Sequence, residues 1–126
     1  MKTSSCFVLM MLAAPAMAKP GLPDPGAKVY EEVCQACHMA NAMGAVGAGR
    51  IAALANNANL ASADYPLTVV TGGKGAMPWF RGQLTDTQIA DVINYVRSHY
   101  DNRYKDRITA VDVAARGVPA PSRGGG

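Results

Sequence analysis

The stretch Cys34-Gln35-Ala36-Cys37-His38 (CQACH) decides how the rest of the chain is read. Its spacing, C-x-x-C-H, is the one that covalent attachment of a c-type haem requires. Two thiols three residues apart share one face of a helical turn, so both can reach the vinyl groups along one porphyrin edge. The next residue, His38, is carried beneath the ring, where a neutral imidazole nitrogen can bind iron. Three rival readings stand beside this one. A redox-active C-x-x-C pair would sit within βαβ patterning, and none surrounds Cys34. A structural zinc site needs two further ligands, and His99 is the one remaining histidine. A Cys34–Cys37 disulfide would leave His38 without a role.

Upstream of the motif, Lys2 supplies a positive start and Cys6 to Ala14 an apolar run. Ala16-Met17-Ala18 then forms an A-x-A cleavage site. That order predicts a secretory signal peptide over residues 1–18, cut after Ala18, and hence a periplasmic protein. Nothing later is apolar for long enough to span a membrane, so no transmembrane segment is expected in the mature chain. Cleavage would remove Cys6, leaving Cys34 and Cys37 with no unpaired third thiol in an oxidising compartment. It would also lower the formal net charge of +3 by one, through loss of Lys2. A charge this small gives no case for nucleic-acid binding.

Residues 19–26 carry three prolines and two glycines and read as an extended leader. From Ala27 the apolar positions Val29, Tyr30, Val33, Cys34 and Cys37 follow helical spacing, with Glu31 and Glu32 on the solvent side. Met39 to Asn59 is rich in Gly, Ala and Asn and reads as a long loop, with one helical turn near Arg50 to Ala55. So long a loop is plausible in a small domain only if it wraps a large cofactor. Ser62 to Thr71 reads as a short helix, capped by Ser62 or Asp64 and stopped by Gly72-Gly73. The clearest helix runs from Asp86 to about Tyr100. Thr85 and Gln88 form its capping box, and Ile89, Val92, Ile93 and Val96 its buried stripe. The cations Arg97, Arg103, Lys105 and Arg107 read as a solvated helix end. Thr109 to Arg116 reads as one weak turn at most. The domain is therefore bounded at 27–107, with 108–126 as a C-terminal extension expected to be largely disordered. No stretch alternates as a strand does, so the fold class is all-α.

A haem held by His38 alone would have an open sixth position, and Met77 is the candidate to fill it. It lies 39 residues downstream, far enough for the chain to reach the other face of the ring. Pro78 holds the preceding backbone extended and so presents the thioether on a stiff loop. Met43 and Met39 are too close to His38 to cross the ring. The bland alternative for Met77 is a core-filling methionine. Arg50, Lys74, Trp79 and Arg81 fall in loops expected to rim the haem, where they could meet its propionates or simply be solvated. Positive loops there would also steer an acidic partner.

Across Ala27 to Tyr100 the chain resembles the small class I c-type cytochromes of bacterial periplasms. The likeness rests on Cys34, Cys37 and His38, the Gly-rich loop after them, Leu54, the Gly-Lys-Gly-Ala-Met77-Pro segment and the closing helix. Val92 to Arg97 and Thr109 to Val113 look like single-haem domains that serve periplasmic dehydrogenases. The resemblance implies a cytochrome c-like fold of about four short helices wrapped around one covalent haem c with its iron. It implies one-electron transfer rather than enzyme catalysis, with a periplasmic dehydrogenase as donor and a terminal oxidase or another cytochrome as acceptor. The expected site is Cys34 and Cys37 for attachment, with His38 and Met77 as axial ligands. Two other functions stay open: a haem enzyme or gas sensor with a displaceable distal ligand, and a haem-free interaction module. One departure stands out. A proline often precedes the leucine of such loops and lends its carbonyl to the proximal histidine, but Ile51-Ala52-Ala53-Leu54 has none.

Overall fold

A computed structural model describes residues 21–122; the expected signal peptide and cleavage site, residues 1–18, lie outside the described residues. Among the described residues the fold is all-α apart from one tiny ladder and two isolated bridges. Asp24 caps the first helix by accepting the Gly26 amide, so helix begins at Pro25, two residues before the expected start at Ala27. It continues without a break to the motif: α1 at Pro25–Val29, one turn of wider π pairing at Tyr30–Cys34, and α2 at Gln35–His38. In that wide turn the Gln35 amide reaches back to the Tyr30 carbonyl, five residues away. Such bulges recur beside functional sites, and this one delivers the chain to CQACH. Met39, at φ 69°, ends the helix, and its carbonyl accepts the Tyr30 hydroxyl at 2.8 Å.

The long loop is more ordered than its composition suggests. Ala45–Val46 (β1) and Arg50–Ile51 (β2) pair antiparallel, Ala45 with Ile51 and Val46 with Arg50, where one turn of helix was expected. The amides of Leu54 and Ala55 both donate to the buried Ala42 carbonyl, which folds the loop back on itself. A 3₁₀ turn comes next at Ala58–Ala61, then α3 at Asp64–Gly72, α4 at Asp86–Ser98 and α5 at Ala110–Arg116. At the start of α3 the N-cap is Ala63, which has no capping side chain; Ser62 instead accepts the Asp64 amide from just outside. Gly73, at φ 75°, stops that helix as its glycine pair implied.

Helix α4 is the spine. Its Ile89, Ala90 and Ile93 join Ala63, Leu67, Ile108 and Val113 in one core, while Val92 and Val96 join Val29, Tyr30, Ala42 and Leu60 in another. It crosses α1 so closely that a Cβ on Gly26 would lie 2.3 Å from the Asp91 carbonyl oxygen, so only glycine fits there. The Thr85–Gln88 capping box forms in full. Thr85→Ala is therefore expected to cost about 0.5–2 kcal/mol in urea unfolding, with the unfolding slope unchanged.

Two expectations about the C-terminal half fail. Arg97 is not part of a solvated helix end. It has 0 % exposure, donating to the Leu60 and Ala61 carbonyls and, at 2.6 to 2.9 Å, to the carbonyl and carboxylate of Asp106. Nor is the segment after 107 disordered as a whole. Ile108 and Val113 are core residues, and Thr109 with Asp112 makes a second capping box at the head of the two-turn helix α5. A short helix of this kind is stabilised by the core it covers rather than by its own propensity, so its composition understates it.

Candidate functional site

The two cores flank a cavity of about 610 Å³, within the size range of cofactor and ligand sites. Cys34, Cys37 and His38 line it from the first helical stretch, and Met77 and Pro78 from the loop after α3. Leu54, Leu60, Val69, Val70, Val92, Ile93 and Val96 make the remaining walls largely aliphatic. All four expected site residues therefore face one space, although Cys34 and Met77 are far apart in sequence. Met77 is the one methionine among the described residues that lines it. Met43 and Met39 are 59 % and 39 % exposed and lie elsewhere.

His38 is buried, and its Nδ1 lies 2.9 Å from the Ala52 carbonyl oxygen. A carbonyl can only accept, so Nδ1 carries the proton and Nε2 keeps its lone pair for a metal. The missing proline is thus replaced by an alanine carbonyl from the end of the hairpin. No side-chain pattern announces this, because every residue has a carbonyl. The Gly44 amide in turn donates to the His38 carbonyl at 3.1 Å and draws the hairpin under the imidazole.

Burial pushes the Cys34 thiol up to about 11, and the neighbouring Cys37 adds to the effect. Redox-active pairs work through a depressed thiol, so Cys34 is set up opposite to a thioredoxin-type nucleophile. The zinc alternative also lacks support: among the described residues no three His, Cys, Asp or Glu side chains gather as a metal-binding group.

The Met77 loop is a tight turn, with the Lys74 and Met77 amides and carbonyls bonded reciprocally at 3.0 Å. Lys74 reaches the Tyr65 hydroxyl at 3.2 Å and lies 5.2 Å from that ring's centre. Of the four residues expected to rim the site, Arg50 and Lys74 do line the cavity, and among the described residues they are its only lysine or arginine. No carboxylate of the described residues lines it. Trp79 and Arg81 do not line it; Arg81 turns away to donate to the Val113 carbonyl at 2.8 Å. An apolar slot with a thiol pair, a free imidazole nitrogen, a thioether and two cations at its polar margin fits a flat apolar ring that carries carboxylates and a metal.

Comparison with known proteins points the same way. The family model described as cytochrome c oxidase, cbb3-type, subunit III matches residues 21–96. A cytochrome c6 from Thermosynechococcus vestitus is 40 % identical over 99 residues, covering 71 % of this chain and 80 % of that protein. A cytochrome c6 from Synechococcus elongatus is 44 % identical over 80 residues, covering 56 % of this chain and 83 % of its own. The gluconate 2-dehydrogenase cytochrome c subunit of Pantoea cypripedii is 34 % identical over 120 residues, covering 81 % of this chain. The chain spans only about a quarter (26 %) of that last relative's length.

Proposed function

Because the chain belongs to the small class I c-type cytochromes, which carry covalent haem c with its iron and transfer electrons, we propose that it is a periplasmic one-electron carrier ligated by His38 and Met77. The observation that carries this reading is the convergence of Cys34, Cys37, His38 and Met77 on one apolar cavity. When bound, the haem supplies a one-electron couple between ferric and ferrous iron.

The chain's own residues then have separable tasks. Cys34 and Cys37 anchor the ring covalently, and Ala52 holds His38 in the tautomer that offers Nε2. Met77 contributes a neutral thioether, which favours the reduced state and so raises the reduction potential. The aliphatic walls exclude water, keeping reorganisation around the changing charge small. Arg50 and Lys74 stand where they can meet the carboxylates of the ring and draw in an acidic partner. With His38 and Met77 both available to hold the metal, no position would remain there for a substrate, which supports a carrier rather than an enzyme.

Export rests on the order of positive start, apolar run and A-x-A site over residues 1–18. No helix among the described residues is long and apolar enough to cross a membrane. The donor is proposed to be a periplasmic dehydrogenase, on the likeness to a gluconate 2-dehydrogenase cytochrome c subunit. The acceptor is proposed to be a terminal oxidase or another cytochrome, on the likeness to an oxidase subunit.

The decisive experiment is the visible spectrum of the ferric protein beside Met77→Ala. The wild type is expected to show the weak methionine-to-iron band toward the red, and the variant to lose it. The variant's reduction potential should fall by on the order of 100 mV, within the ~0.8 V over which axial ligands set haem potentials. Rapid carbon monoxide binding to the ferrous wild type would instead mean an open distal site and an enzyme or sensor.

A further inference from the structure

Residues beyond 96 lie outside the stretch that matches the family model, yet those after Thr109 pack against the part of the fold that carries Met77. Helix α5 buries Val113 completely in the core shared with α3 and α4, and Arg116 pairs with Asp64 at the start of α3. The C-terminal end of α5 and the residues just beyond it touch both roots of the Met77 loop. At the first root, the Val118 amide donates to the Thr71 hydroxyl at 2.9 Å, and that hydroxyl donates to the Leu67 carbonyl at 2.6 Å. The Val118 side chain also covers Gly72, where an added Cβ would meet it at 3.0 Å. At the second root, the Arg81 guanidinium donates to the Val113 carbonyl, which also accepts the Gly117 amide at 2.9 Å.

We propose that residues 109–120 brace the Met77 loop at both roots, with Arg81 and Gly117 as positioning residues for the thioether. The inference rests on the reading of Met77 as the distal ligand. A thioether is a weak ligand, and it holds its place only if the loop bearing it has little freedom left to lose. An external ligand must first displace that loop, so its apparent affinity reports how readily the loop opens. Anything that frees a root should raise that affinity without touching Met77, His38 or the cavity wall.

Gly117 gives a clean way to do this. Its φ of −67° suits any residue, so its constraint is purely steric. A Cβ there would stand 2.3 Å from the Arg81 Nη1 and 2.6 Å from the Val113 carbonyl oxygen. Gly117→Ala should therefore push the guanidinium off its acceptor, while Arg81→Gln removes it directly.

The test titrates the ferric, haem-loaded, full-length protein with imidazole and follows loss of the red methionine band. Gly117→Ala and Arg81→Gln are each expected to bind imidazole about tenfold more tightly than wild type, the scale of one buried hydrogen bond. Val29→Ala, which loosens α1 in the other core and touches neither the strap nor the cavity, serves as the control for general loosening and should leave the affinity unchanged. The brace is overturned if both variants stay within about twofold of wild type, or if Val29→Ala shifts the affinity as much as they do. A wild type with no methionine band would overturn the ligand assignment itself and the brace with it. A normal band with no imidazole effect overturns the brace alone.

Discussion

Arg97→Ala is expected to destabilise the folded protein by about 2–4 kcal/mol, because a fully buried guanidinium that serves several main-chain carbonyls at once is lost. The guanidinium joins three separate stretches of chain: the 3₁₀ turn through Leu60 and Ala61, helix α4 itself, and the segment through Asp106. Truncation would leave the Leu60, Ala61 and Asp106 carbonyls without their donor, and a carbonyl left unpaired in the interior costs about 1–3 kcal/mol. A urea midpoint that moves by no more than that of Arg107→Ala, an exposed neighbour, would refute the linchpin role. The ion pair adds a pH signature. Its hydrogen bond with Arg97 holds the Asp106 carboxyl below the usual range, so its contribution is present above the ordinary carboxylate pKa. It is lost as pH falls through the lowered value. That part of the acid sensitivity should vanish in Arg97→Ala.

A second large effect is expected of the double variant Cys34→Ala/Cys37→Ala, in which the cofactor cannot be held covalently. The cavity of about 610 Å³ separates two modest cores joined through α4 and Leu84. At ~24 cal/mol per Å³ of cavity, leaving that whole space unfilled would cost about 15 kcal/mol. Counting only half, because the mouth opens to solvent, still leaves about 7 kcal/mol, against a total stability of about 5–15 kcal/mol for a domain. The haem-free double variant should therefore lack most of its helical circular dichroism and melt without a cooperative transition. A sharp transition with native helix content in that haem-free form would show that the protein core suffices alone.

Local features of the site were legible because local spacing carries them. The pair Cys34 and Cys37, the following His38, and the Met77-Pro78 dipeptide each announce their chemistry within a few residues. The Thr85–Gln88 box did the same for α4. The Thr109-x-x-Asp112 box carries the same kind of signature for α5, but a stretch of seven residues is too short to predict a stable helix by itself. Val113 forms one because it has a core to fill. Arg97 misled for a related reason: an arginine among Arg103, Lys105 and Arg107 reads as surface charge unless its acceptors are known. Those acceptors are chiefly main-chain carbonyls up to 37 residues away.

Sequence alone thus supplied the attachment motif, the axial candidates and the all-α class, since each depends on which side chains lie a few positions apart. Tertiary structure alone decided that Ala52 orients His38, that Arg97 ties the C-terminal half together, and that the end of α5 and the residues beyond it reach both roots of the Met77 loop. These contacts run mostly through backbone carbonyls and amides. Such groups are present at nearly every residue, so only the path of the folded chain selects which of them meet.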